Sequence, residues 1–117
     1  MGKKVNSSNQ INQQLLEERC VLNKVLQLAG KRWLAEIILL LEDGVNRFSH
    51  LKVNLKGISD HVLSRNINAL MSAGLITKTI YQEVPLKVEY HLSESGKKLV
   101  GLLHDLCKWG KENIETE

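Results

Sequence analysis

The stretch from Gly57 to Gly74, Gly57-Ile58-Ser59-Asp60-His61-Val62-Leu63-Ser64-Arg65-Asn66-Ile67-Asn68-Ala69-Leu70-Met71-Ser72-Ala73-Gly74, constrains the fold most tightly. It carries the start, the stripe and the stop of one short helix in consecutive order. Ser59 suits an N-cap, because its hydroxyl can accept from a first-turn backbone N–H that has no helical partner. Ile58 and Leu63 stand at the two positions of a hydrophobic staple. Leu63, Ile67, Leu70 and Met71 recur at helical spacing and predict one buried face. Gly74 supplies the left-handed residue that ends the helix.

His61, Ser64, Arg65, Asn68 and Ser72 follow the same period on the opposite face and are small, polar or cationic. Such side chains reach phosphate oxygens and base edges, Arg pairing best with guanine and Asn with adenine. Taken alone, this is also the composition of an ordinary solvated helix face, and the flanking sequence decides between the two.

Upstream, Arg47-Phe48-Ser49 leads into a short helix through Phe48, Leu51 and Leu55, and Lys56-Gly57-Ile58 is a tight turn. Two short helices joined by a Gly-containing turn, the second polar outside, form a helix-turn-helix signature. That motif places its second helix in the major groove of DNA. Downstream of Gly74 the period changes from helical to alternating. Ile76 to Tyr81 predicts one strand, Lys87 to Leu92 another, and Gln82-Glu83-Val84-Pro85-Leu86 the hairpin loop. Three helices followed by a β-hairpin make a winged helix, with the hairpin as the wing.

The remaining chain frames this unit. Residues 1–10 are polar and predict a disordered tail, with 11–117 as a single domain. Ile11 to Leu28 has helical spacing, with a candidate break near Cys20, and Gly30-Lys31-Arg32 interrupts it. Trp33, Leu34, Ile37, Ile38 and Leu41 then form the apolar face of a core helix, which Gly44 closes. Ser93 caps a last helix running to about Asn113. Its residues Leu99, Val100, Leu102, Leu103, Leu106, Cys107 and Trp109 cover more of the circumference than one core needs, so a partner subunit is expected on the second face. The expected class is α+β, mostly α: a winged helix-turn-helix with flanking N- and C-terminal dimerisation helices.

Charge supports a nucleic-acid partner. The chain carries a formal +3, whereas the segment from Arg47 to Lys87 has six basic residues against two acidic ones, a local +4. A basic centre between near-neutral ends fits a DNA footprint. Met1 to Gln10 has no apolar run, so no signal peptide is expected, and Ile37 to Leu41 is too short to span a bilayer. A cytoplasmic protein without a membrane partner follows. Cys20 and Cys107 are 87 positions apart and form neither a disulfide framework nor a zinc motif. His50, His61, His91 and His104 are scattered, and no nucleophile stands beside a base. No metal, cofactor or enzymatic activity is expected.

The chain resembles the HxlR-type winged-helix regulators, relatives of the MarR regulators, over about residues 20–109. The resemblance rests on linked stretches: Leu28-Ala29-Gly30-Lys31-Arg32-Trp33, Arg47-Phe48-Ser49-His50-Leu51, Gly57-Ile58-Ser59 with Leu63, and Gly74-Leu75-Ile76. The wing adds Val84-Pro85-Leu86-Lys87-Val88-Glu89-Tyr90-His91-Leu92-Ser93, and the last helix adds Gly96 and Leu106-Cys107-Lys108-Trp109. The resemblance implies a homodimer, paired through its first and last helices, that binds a two-fold symmetric operator and regulates transcription. Many such proteins carry a lone cysteine before the first core helix, used in some to sense oxidants or electrophiles. Cys20 matches that position, although Cys20-Val21 stands where Cys-Pro is usual. Lys56 and Leu86 also stand where the family often has Pro.

The expected DNA contacts are Arg65 and Asn68 to bases, Ser59, His61 and Ser64 to phosphate or base, and Arg47 and Lys87 to phosphate. Cys20 has Arg19 beside it and Lys24 four residues on, and nearby cations favour the reactive thiolate. The same cysteine also reads as a small buried residue at a dimer seam. Cys107 reads as core. The whole predicts a DNA-binding homodimeric transcriptional regulator, as a repressor, with thiol oxidation or electrophile modification at Cys20 as a route of control. Two alternatives remain open: a winged-helix module whose polar face binds protein, and a regulator answering to a small ligand without thiol chemistry.

Overall fold

The computed structural model describes residues 2–114 of the chain, with side chains described from residue 12 onward. The elements in order are α1 (Gly2–Ala29), α2 (Leu34–Glu42), α3 (Phe48–Asn54), α4 (Asp60–Ser72), β1 (Ile76–Tyr81), β2 (Lys87–Leu92) and α5 (Glu94–Asn113). They divide into two compact units that adjoin in sequence between Lys31 and Arg32. The sequence placed 11–117 in one domain. Helix α1 falls in one of these units and the winged helix in the other. Residues 1 and 115–117, included in those expected segments, lie outside the described residues, as does the side chain of Ile11.

Helix α1 begins at Gly2, where a disordered tail through residue 10 was expected. The expected break at Cys20 is also absent. The reason is common to both: no glycine or proline lies between Lys3 and Ala29, so nothing interrupts propagation once the helix has nucleated. It ends at Gly30, whose N–H donates to the Leu26 carbonyl at 2.8 Å. Leu15, Leu22 and Leu26, at helical spacing, are all exposed.

The second unit is organised around α2. Leu34, Ile37 and Ile38 are fully buried and Leu41 nearly so, and α2 packs against α5 and β2. Trp33 departs from the expected helical face. It is the N-cap residue in the left-handed region at φ 79°, and it is half-buried. The chain turns sharply there, a conformation costly for a residue with a large side chain, and the Arg32 guanidinium lies 4.5 Å above the Trp33 ring.

The hairpin is antiparallel, with register from Ile76 opposite Leu92 to Tyr81 opposite Lys87. Ile76 is buried, whereas Ile80, on the same face nearer the tip, is exposed. The Tyr90 N–H donates to the Asn46 carbonyl at 2.8 Å and ties β2 to the loop after α2. Ser93 joins the strands to α5. Its N–H donates to the Leu75 carbonyl at 2.9 Å and its hydroxyl to the Gly74 carbonyl at 2.6 Å, while its Oγ accepts from the Gly96 N–H at 3.1 Å. Gly96 sits so close to the Leu75 carbonyl that a Cβ would collide with it.

Burial fades along one face of α5: Gly96 and Val100 are buried, Leu103 is half-buried and Cys107 is exposed. The expectation of a core Cys107 is therefore corrected. Its face is the core face, but the helix continues past the residues that could cover it. Among the described residues no helix is long and apolar enough to cross a membrane.

Candidate nucleic-acid interface

Helices α3 and α4 are joined by a turn in which Gly57 takes φ 86°, a value open to glycine at little cost. The Ile58 N–H donates to the Leu55 carbonyl at 3.1 Å, and both side chains are buried. Ser59 is the N-cap, its Oγ accepting from the Val62 N–H at 3.1 Å. The expected staple is in place, since Ile58 and Leu63 are both buried. Leu63, Ile67 and Leu70 are buried and Met71 is half-buried, which fixes the rotation of α4 about its axis.

That rotation turns His61, Ser64, Arg65, Asn68 and Ser72 outward, all five exposed. Arg65 has no ion pair among the described residues, so its five N–H donors are open to an external acceptor. Asn66 behaves differently. Its side-chain amide donates to the Val62 carbonyl at 2.8 Å, and it belongs to the helix rather than to the outer face. Lys52 Nζ pairs with Asp60 Oδ1 at 2.6 Å, so that cation is partly compensated.

Arg47 caps α3 in an extended conformation, is half-buried, and its carbonyl accepts from the Leu51 N–H at 2.9 Å. It lies at the start of the motif, capping α3, rather than on the α4 face. Lys56 and Lys78 are exposed, and neither has an ion pair among the described residues.

Lys87 is not a free cation. Its Nζ lies 3.4 Å from Glu89 Oε2 and 4.8 Å above the Tyr81 ring. Glu89 Oε1 also accepts from the Tyr81 hydroxyl at 3.2 Å and lies 3.1 Å from His91 Nε2. Desolvation pushes the Glu89 carboxyl up, but the donors from His91, Tyr81 and Lys87 together outweigh it and hold the group below its ordinary value. Sequence reasoning passed over Glu89. The signal was available in part, because Lys87, Glu89 and His91 alternate along one strand and so share a face. Tyr81 joins them only through the register.

Cys20 and Cys107 are both exposed free thiols. Among the described residues, no three His, Cys, Asp or Glu side chains gather where they could hold a metal ion.

A helix-turn-helix whose second helix presents an unpaired arginine and small polar residues, followed by an antiparallel hairpin, defines a winged-helix DNA-binding unit. Residues 28–117 match the sequence profile of the HxlR-like helix-turn-helix family, and the chain belongs to that family. It is a transcriptional regulator of this type. A Methanothermobacter thermautotrophicus protein described as an uncharacterized HTH-type transcriptional regulator is 37% identical over 95 residues, covering 81% of this chain and 72% of that one. The reduced form of the transcriptional regulator YodB from B. subtilis superposes with a TM-score of 0.74 at 29% identity, covering 80% of this chain and 91% of that one. The redox regulator HypR in its oxidized form superposes with a TM-score of 0.73 at 27% identity, covering 83% of this chain and all of that one.

Proposed function

We propose that the chain acts in the cytoplasm as a homodimeric repressor, inserting α4 of each protomer into successive major grooves of a two-fold symmetric operator. The observation that carries this is the outward face of α4, where Arg65 and Asn68 serve base edges and His61, Ser64 and Ser59 serve phosphate or base. Arg47 adds a phosphate contact. Two-fold related helices would then stand about 34 Å apart, one turn of the duplex. Support for a dimer comes from the apolar residues of α5 that its own unit leaves uncovered: Leu102, Leu106 and Trp109 are 59%, 58% and 55% exposed. Stripes of this kind are buried against a second subunit at little cost.

The reading is tested by titrating duplex from the chain's own upstream region at several salt concentrations, with sedimentation to read the oligomer. Salt-sensitive binding by a dimer is expected, and Arg65→Ala should remove discrimination. Binding that ignores salt and survives Arg65→Ala would instead favour a protein-binding role for the α4 face.

A second reading concerns control. Cys20 is an exposed free thiol on α1, with Arg19 and Lys24 close by in sequence, and the structurally similar HypR is a redox regulator. In this reading an electrophile or oxidant modifies Cys20 and releases DNA. Release should be lost in Cys20→Ser. Release that persists there points to a small ligand or to Cys107.

A further inference from the structure

Wings of this kind are expected to hold DNA through their cations, yet Lys87, the cation beside the hairpin loop, is already engaged. On the face of the hairpin that carries Thr77, Thr79 and Tyr81, β2 contributes Lys87, Glu89 and His91. The Glu89 carboxylate is the hub: one oxygen takes Tyr81 and His91, the other Lys87. The opposite face carries the buried Ile76, so the cluster lies on the outer side of the hairpin.

An ammonium held by a carboxylate and an aromatic ring gains little from a loosely placed phosphate. The contact must first break the existing pair, and it brings phosphate towards a carboxylate that has lost its ammonium partner. A phosphate in the right position can compensate both losses. A device of this form penalises wrong partners more than it helps the right one. We propose that Glu89 is a specificity-determining positioning residue: it withholds Lys87 from arbitrary duplex and lets it transfer to phosphate only where the operator seats the wing. This rests on the DNA-binding reading above.

Counterion release gives a readout that a purely structural role for Glu89 would not move. Each phosphate neutralised adds about 0.9 to the steepness of log K against log salt on duplex DNA. The probes are an operator duplex selected from a randomised pool by the wild-type protein, and poly(dI-dC). Glu89→Gln keeps the shape but removes the charge. It should steepen the poly(dI-dC) slope by about 0.9 and leave the operator slope in place. The ratio of operator to poly(dI-dC) affinity should fall about tenfold, the value of one mismatched contact worth ~1.4 kcal/mol. Lys87→Gln should flatten the operator slope by about 0.9 and leave poly(dI-dC) unchanged. Lys87→Gln also serves if Glu89→Gln fails to fold.

The inference is overturned if Lys87→Gln flattens both slopes equally, or if a folded Glu89→Gln changes neither slope. Wild-type protein with no salt-sensitive duplex binding overturns the DNA-binding reading and this inference with it. Wild-type binding with the slopes unmoved by either variant overturns this inference alone.

Discussion

Lys52 Nζ and Asp60 Oδ1 are 2.6 Å apart, so one ion pair links the last turn of α3 to the first turn of α4. Both side chains are substantially exposed, at 45% and 70%, and exposed pairs contribute only about 0.2–1 kcal/mol. The pair matters more for charge than for stability. It neutralises an acid at the N-terminal end of α4, the helix proposed to enter the major groove, where the carboxylate is otherwise favoured by the helix dipole. Asp60→Asn is therefore expected to cost less than about 1 kcal/mol in urea unfolding while tightening binding to any duplex. Lys52→Gln should weaken binding, because it leaves Asp60 uncompensated. Fluorescence anisotropy with labelled duplex reads both signs, and identical shifts in the two variants would contradict the assignment.

Ser59 is the N-cap of α4 and, in the proposed function, also a DNA contact, and two substitutions separate these roles. Ser59→Ala loses the bond to the Val62 N–H and should destabilise by about 1 kcal/mol. Ser59→Asp keeps a capping oxygen and should retain wild-type stability, but its charge should weaken duplex binding. Chemical denaturation paired with binding titrations distinguishes the two.

Arg65 is exposed and without an ion pair among the described residues, so Arg65→Ala should leave the unfolding midpoint unchanged. If Arg65 reads a guanine edge, discrimination against a changed base should fall by about 1–3 kcal/mol. Competition between operator and single-base variants measures this. A uniform loss across all sequences would mark Arg65 as a phosphate contact instead.

Gly96→Ala tests the joint between hairpin and α5. A Cβ there collides with the Leu75 carbonyl, which is backbone already accepting from the Ser93 N–H. Overpacking of this kind costs about 1–3 kcal/mol. The midpoint in urea should fall accordingly, although alanine is the better helix former.

Tyr90 gives a pH dependence. Desolvation raises its hydroxyl above the ordinary value of 10.0, so the folded state holds the proton more tightly than the unfolded chain. This contribution to stability is fully present below the unfolded value and is lost as pH rises through the folded one. Stability should decline in alkali above about pH 10, and Tyr90→Phe should flatten that decline relative to the wild-type curve.

Much of this was legible in the residues. Ser59, Gly57 and Gly74 mark the limits of α4 by local backbone chemistry, and Leu63, Ile67 and Leu70 set its rotation through their spacing. The hairpin strands match the alternating segments residue for residue, from Ile76 to Tyr81 and from Lys87 to Leu92. The less accurate expectations lay where period alone was followed. Trp33 continues the apolar spacing of α2 yet caps it in a left-handed conformation. Cys107 continues the face of Val100 yet lies beyond the residues able to cover it. The polar residues before Ile11 lack an apolar stripe, but the absence of glycine and proline from Lys3 to Ala29 lets α1 include them.

The sequence by itself determined the elements, their caps and the polar face of α4, because each depends on residues within a few positions of one another. Only the tertiary structure decided which charges are free. Lys52 is compensated across a turn by Asp60, and Lys87 by Glu89 with Tyr81 from the neighbouring strand. Gly96 is required by a carbonyl twenty-one residues earlier in the chain. These relationships depend on strand register and helix packing. Such geometry brings distant residues together through the burial of other side chains, so their own spacing carries no trace of it.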